Sequence, residues 1–116
     1  MTVENYVKLA CSAMDEKSAE DIKVIDLRKI SSLADYFIIG SASNERLTKA
    51  ISDNIDKVLS ENGLEVRARE GEDSASWILL DYGDFIVHIF KNEERAFYNL
   101  ERLWKDAPYV EIEDLR

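Results

Sequence analysis

The sequence predicts a mixed α/β (α+β) fold: two layers, with a mixed sheet of about five strands and three helices. Three observations predict it. Apolar residues recur at helical spacing in three segments and alternate or run unbroken in short stretches between them. The elements read helix, strand, strand, helix, strand, strand, strand, helix. The length of 116 residues suits one domain, 1–116, around one continuous core, with an acidic tail at 109–116.

Residues 3–16 carry Val3, Val7, Ala10, Ala13 and Met14 at spacings of three and four, an amphipathic helix with Thr2 as its N-cap. Residues 22–27 and 35–40 read as strands, the second with an unbroken apolar run that suits burial on both faces. Leu47, Ile51, Ile55, Val58 and Leu59 then form one stripe of a long helix. Ser43 or Asn44 caps its start, and Gly63 stands where a terminal glycine belongs.

Residues 64–69 alternate Leu64, Val66 and Ala68 against Glu65, Arg67 and Arg69, a half-exposed strand. A polar turn leads to a strand at 76–82; Gly83 and Asp84 punctuate, and 85–90 returns as its hairpin partner. The last helix covers about 93–104 and should turn Phe97, Leu100, Leu103 and Trp104 inward, until Pro108 ends it. Residues 35–69 form a strand–helix–strand unit, which implies a parallel pair with a right-handed crossover. The other pairs are antiparallel hairpins. Three helices cover one face of such a sheet and leave part of the other open.

Composition narrows the function. Hydrophobic residues make up 46%, too many for a disordered chain. One Cys and one His provide neither a disulfide framework nor a zinc cluster. With 24 acidic against 15 basic residues the net charge is -9, so direct nucleic-acid binding is not expected and a basic protein is the better partner. The start shows no basic region followed by an apolar one, and no apolar run approaches membrane length, so a cytoplasmic protein with no membrane partner is expected. No cofactor or metal is expected.

Four constellations bear on chemistry. Gly40-Ser41 ends a strand before a helix, where a turn could hold a phosphate, as in nucleotidyltransferases. Such an enzyme also needs paired metal-binding carboxylates, for which Asp81 or Asp84 would have to serve. Ordinary punctuation is the favoured reading of Gly40-Ser41, and turn chemistry that of Asp81 and Asp84. His88 has no nucleophile beside it in sequence and reads as a structural or interface residue. Cys11 lies between Ala10 and Ala13 on the first helix and reads as buried and inert.

Trp77, Leu79 and Asp81 share one face of their strand, and Ile78, Leu80 and Tyr82 the other. Pattern alone leaves open whether Trp77 is core or surface. The acids around it, seven against two Arg over residues 61–84, favour a surface patch of aromatic and apolar residues rimmed by charge.

Several strings resemble one family. Ala34-Asp35-Tyr36-Phe37-Ile38-Ile39, Trp77-Ile78-Leu79-Leu80-Asp81-Tyr82-Gly83-Asp84, Val87-His88-Ile89-Phe90 and Leu100-Glu101-Arg102-Leu103-Trp104, with Asp106-Ala107-Pro108, are similar to the ribosomal silencing factor (Iojap-like) family. The likeness runs from about residue 3 to Tyr109. It implies a nucleotidyltransferase-like fold without transferase activity, a homodimer, and binding to large-subunit ribosomal protein number fourteen on the 50S subunit. That binding would sterically block subunit joining and repress translation under nutrient limitation. The contacts it implies are Trp77, Leu79, Asp81, Asp84, His88, Tyr98 and Arg102. One departure stands out: Arg46 replaces the Gln common in the family, so Ser43 and Arg46 cannot form a capping box.

Overall fold

Two apolar periods divide the labour: the period near 3.6 makes the helical cover, and the period of two makes the sheet beneath it. The computed structural model describes residues 1–115. Helix α1 is Val3–Glu16, and the Thr2 hydroxyl accepts the Asn5 amide at 3.1 Å to cap it. Its buried stripe is Val7, Ala10, Cys11, Ala13 and Met14. Helix α2 is Glu45–Glu61. Asn44, not Ser43, makes the cap, its Oδ1 accepting the Leu47 amide at 2.9 Å, so Arg46 in the first turn is not needed for capping. At the other end the Leu64 amide donates to the Leu59 carbonyl and the Gly63 amide to the Ser60 carbonyl. Gly63 takes φ +90°, the left-handed turn this termination requires.

The strands are β1 Glu20–Asp26, β2 Tyr36–Ala42, β3 Ala68–Glu70, β4 Trp77–Asp81, β5 Phe85–Lys91 and β6 Tyr109–Val110. They form one mixed sheet in the order β3-β4-β5-β2-β1-β6. The parallel pair is β2 with β5, not β2 with the strand that follows α2. Both β2 and β5 are largely buried on both faces and take the centre. β4 stays with β5 as an antiparallel hairpin, and β3 adds to the outside of β4. The crossover through α2 therefore lands at the sheet edge. There β3 pairs with β4 alone among the described residues, and it shortens to three residues. Leu64 and Val66 still pack on the core ahead of it. The expected acidic tail starts as a sixth strand: Val110 pairs with Val24 and Tyr109 with Ile25.

The last helix is broken. Helix α3, Asn92–Tyr98, and helix α4, Leu100–Leu103, meet at Asn99, which is left-handed at φ 47°. Asn99 suits both the conformation and the new start, because its Oδ1 accepts the Arg102 amide at 3.3 Å. The break rotates the stripe. Leu100 is buried, but Phe97 and Leu103, expected inward, are 79% and 70% exposed.

Alternation then separates two faces. Val24, Ile38, Ile78, Leu80, Val87 and Ile89 lie under α1 and α2 in the main core. Gly40 lies there too, since a Cβ at that position would run into the Met14 methyl of α1. On the other face a second cluster gathers Ile25, Leu27, Phe37, Ile39, Phe90 and Leu100, with Trp77, Ile86 and Trp104 at its border. α3 and α4 cover only part of this face. Among the described residues no helix is long and apolar enough to cross a membrane.

Candidate functional site

The partly open face settles the orientation of Trp77. Along β4 the burial alternates: Ile78 and Leu80 are fully buried, while Trp77, Leu79 and Asp81 on the opposite side are half-exposed. Register brings their neighbours into rows. Trp77 stands beside Phe90, Leu79 lies between Glu70 and His88, and Asp81 lies between Ala68 and Ile86.

Trp77 is the centre of an aromatic group. Its ring stacks on Phe90 at 4.9 Å between centroids and meets Tyr98 at 4.6 Å. Phe97 continues the group with its edge toward Tyr98 at 5.2 Å. Such pairs add modest attraction beyond the area they bury. The Trp77 Nε1–H donates to His88 Nδ1 at 3.1 Å. His88 is 4% exposed, with the Phe37 ring edge-on at 4.6 Å. Burial pushes its imidazole down to about 4, so it is neutral near pH 7 with Nδ1 free to accept. His88 thus lies beneath the surface, supporting Trp77.

Helix α3, which ends at Tyr98, is anchored by a buried arginine. Arg95 on α3 donates through Nη1 to the Ser41 hydroxyl at 3.1 Å and to the Glu20 carbonyl at 3.3 Å. Its Nε and Nη2 reach Glu101 Oε2 at 3.3 and 3.2 Å, and Asp21 lies 3.4 Å from Nη2. One side chain ties α3 to β1, β2 and α4. A charge buried this deeply requires such a full set of partners.

The other expected residues fall around this centre. Tyr98 and Arg102 line a shallow groove with Ala96, Phe97, Asn99 and Leu103. Leu79 and Trp77 form a small apolar notch with Glu70 and Gly71. Asp81 has a turn role, its Oδ1 accepting the Gly83 amide at 2.7 Å. Asp84 sits exposed in the same turn, where its carbonyl accepts the Asp35 amide at 2.7 Å. The acidity expected around Trp77 is divided. Glu72, with Asp53 and Asp56, binds Arg69 on the helical side, leaving Glu70, Asp81 and Asp84 for the open face and its end. Phe97 and Leu103 are the surface residues the sequence misplaced; Asn99, a residue tolerant of left-handed backbone, was the available signal.

The phosphate-turn reading fails on position. Gly40 and Ser41 lie inside β2, fully in the sheet, and Ser41 serves Arg95. Ser41 pairs with Phe90, whereas Asp81 pairs with Ile86, four residues or about 13 Å along the strand. Among the described residues no cluster of three or more His, Cys, Asp or Glu side chains could hold a metal ion. Cys11 is buried, and its thiol is pushed up to about 12 by that burial, which keeps it protonated and unreactive.

The fold and this face define a small mixed α+β protein with a closed helical side and a half-open aromatic side bordered by acids. Residues 1–116 match the family model described as ribosomal silencing factor during starvation, and the chain belongs to that family. It is 42% identical over 113 residues to the ribosomal silencing factor of Halalkalibacterium halodurans, covering 97% of each chain. It is also 42% identical to that of Bacillus subtilis, covering 97% of this chain and 96% of the other. The crystal structure of a Chromobacterium violaceum protein superposes with a TM-score of 0.88 at 31% identity, covering 90% of this chain and 88% of that one.

Proposed function

We propose that this chain silences ribosomes by docking rather than by catalysis. Its partner is large-subunit ribosomal protein number fourteen on the 50S subunit, and the bound protein sterically blocks the small subunit from joining. Translation is thereby repressed under nutrient limitation, in the cytoplasm, by a protein that forms a homodimer. The observation that carries the reading is the half-open face itself. Trp77, Leu79 and Tyr98 offer apolar anchors. Glu70, Asp81 and Asp84 add negative charge around them, as a basic partner requires. Family membership supplies the ribosome as the place of action.

Occupancy is sufficient for such a mechanism, and no conformational signal is needed. The test is sedimentation of the protein with purified large subunits, paired with a subunit-joining assay. Co-sedimentation with loss of joined ribosomes is the expected result. Binding without loss of joining would refute the blocking step, and absence of binding would refute the docking reading.

A further inference from the structure

We propose that His88 is a positioning residue for the docking tryptophan: by accepting the Trp77 indole N–H it fixes the ring's orientation and keeps that N–H paired when a partner covers it. The proposal rests on the reading of the open face as a docking surface.

Stacking alone does not orient this ring. Phe90 and Tyr98 meet Trp77 at interplanar angles of 29° and 46°, contacts that tolerate sliding and rotation. The outer torsion of a tryptophan side chain is itself broad. A hydrogen bond is directional, and the one from Nε1 to His88 Nδ1 selects one orientation. The acceptor cannot wander, because His88 is packed between Phe37 and Phe90 on the central strand β5.

The chemistry of His88 fits an acceptor and not a filler. With Nδ1 accepting, the neutral ring carries its proton on Nε2, and that atom is buried without a hydrogen-bond partner. An apolar residue would fill the space without leaving a donor unpaired. The imidazole gains in return a fixed acceptor under the face. Docking strips water from Trp77; with its N–H already satisfied, the partner need present only apolar surface and positive charge there.

The test uses three proteins: the parent, His88→Phe, which keeps an aromatic ring without an acceptor, and His88→Asn, whose Oδ1 can stand in for Nδ1. The two indole N–H signals of nitrogen-15-labelled protein are assigned with Trp104→Phe. In His88→Phe the Trp77 indole proton moves upfield, and affinity for large subunits falls about tenfold, the worth of one directional hydrogen bond. In His88→Asn both stay close to the parent. Should His88→Phe not fold, His88→Leu serves in its place. An unmoved indole signal, parental affinity in the variant lacking the acceptor, or equal losses in both variants would overturn the proposal. The spectroscopic arm needs no ribosome. If the parent itself fails to bind large subunits, the docking reading falls, while the indole signal still decides whether His88 holds Trp77.

Discussion

The two faces of the sheet use the same alternation to opposite ends. Under α1 and α2, Ile38, Ile78, Leu80, Val87 and Ile89 are fully buried and aliphatic, close-packed by two long helices. On the other side α3 and α4 amount to 11 residues, from 7 in one and 4 in the other, and leave Trp77, Leu79 and Ile86 half-exposed. The closed face holds apolar groups that only need to leave water. The open face holds aromatic rings tied by polar contacts, Trp77 to His88 and Arg95 to Ser41 and Glu101. Such ties fix shape at a surface that no helix finishes. The closed face is finished by its helices, and the docking proposed above falls to the open one.

The sharpest way to break this division is a cavity on the closed face. Ile78→Ala should cost about 3 kcal/mol of stability, from lost burial plus an unfilled cavity. That corresponds to a melting temperature lower by roughly 10 °C, while affinity per folded molecule stays at the parental value. A comparable loss of affinity in the folded fraction would merge the two faces.

Acid acts from the open face. The folded His88 pKa is about 4, below the ordinary 6.5, so the unfolded state binds the extra proton first as pH falls. Its contribution is fully present above about pH 6.5 and is lost toward pH 4, a total on the order of 3 kcal/mol. Denaturant midpoints across this window should fall for the parent and fall less for His88→Asn. Identical slopes would show that another group controls the acid limb.

Trp77→Ala comes next. It should weaken large-subunit binding by about 2 kcal/mol, roughly thirtyfold, and destabilise the fold less than Ile78→Ala does. Equilibrium binding and thermal melts on the same samples measure both. The smallest effect is that of salt. Affinity should decline as ionic strength rises, because Glu70, Asp81 and Asp84 attract through screened solvent. A salt-independent affinity would assign the docking to apolar contact alone.

Much of this was legible in the sequence, for identifiable reasons. The period of two divided β4 into a Trp77-Leu79-Asp81 face and an Ile78-Leu80 face, though the unbroken apolar run Trp77 to Leu80 left open which of them is covered; the stripe from Leu47 to Leu59 foretold α2. Strand order was not legible. Pairing the strands on either side of α2 follows chain proximity, but the centre of the sheet went to β2 and β5, the strands with two faces to bury. The two residues of β6 are too few for a period to register. Phe97, Leu100, Leu103 and Trp104 mimic one helical stripe, and only the left-handed Asn99 separates them. Of the expected contacts, Trp77, Leu79 and Tyr98 come together at the surface, and Asp81 lies in the next row. His88 is buried beside them, because its strand is central and the rings of Phe37, Trp77 and Phe90 pack around it.

The central claim, that the open face is the docking face, meets its most direct test at Leu79. This side chain is half-exposed beside Trp77 and faces Glu70 across the strands, so Leu79→Lys disturbs the surface and not the core. It exchanges an apolar contact for a cation facing a basic partner. The measurement is its dissociation constant for purified large subunits. The expected result is binding at least about tenfold weaker than the parent, with a melting temperature within a few degrees of it. Parental affinity in the folded Leu79→Lys protein would contradict the claim and place the docking surface elsewhere on the molecule.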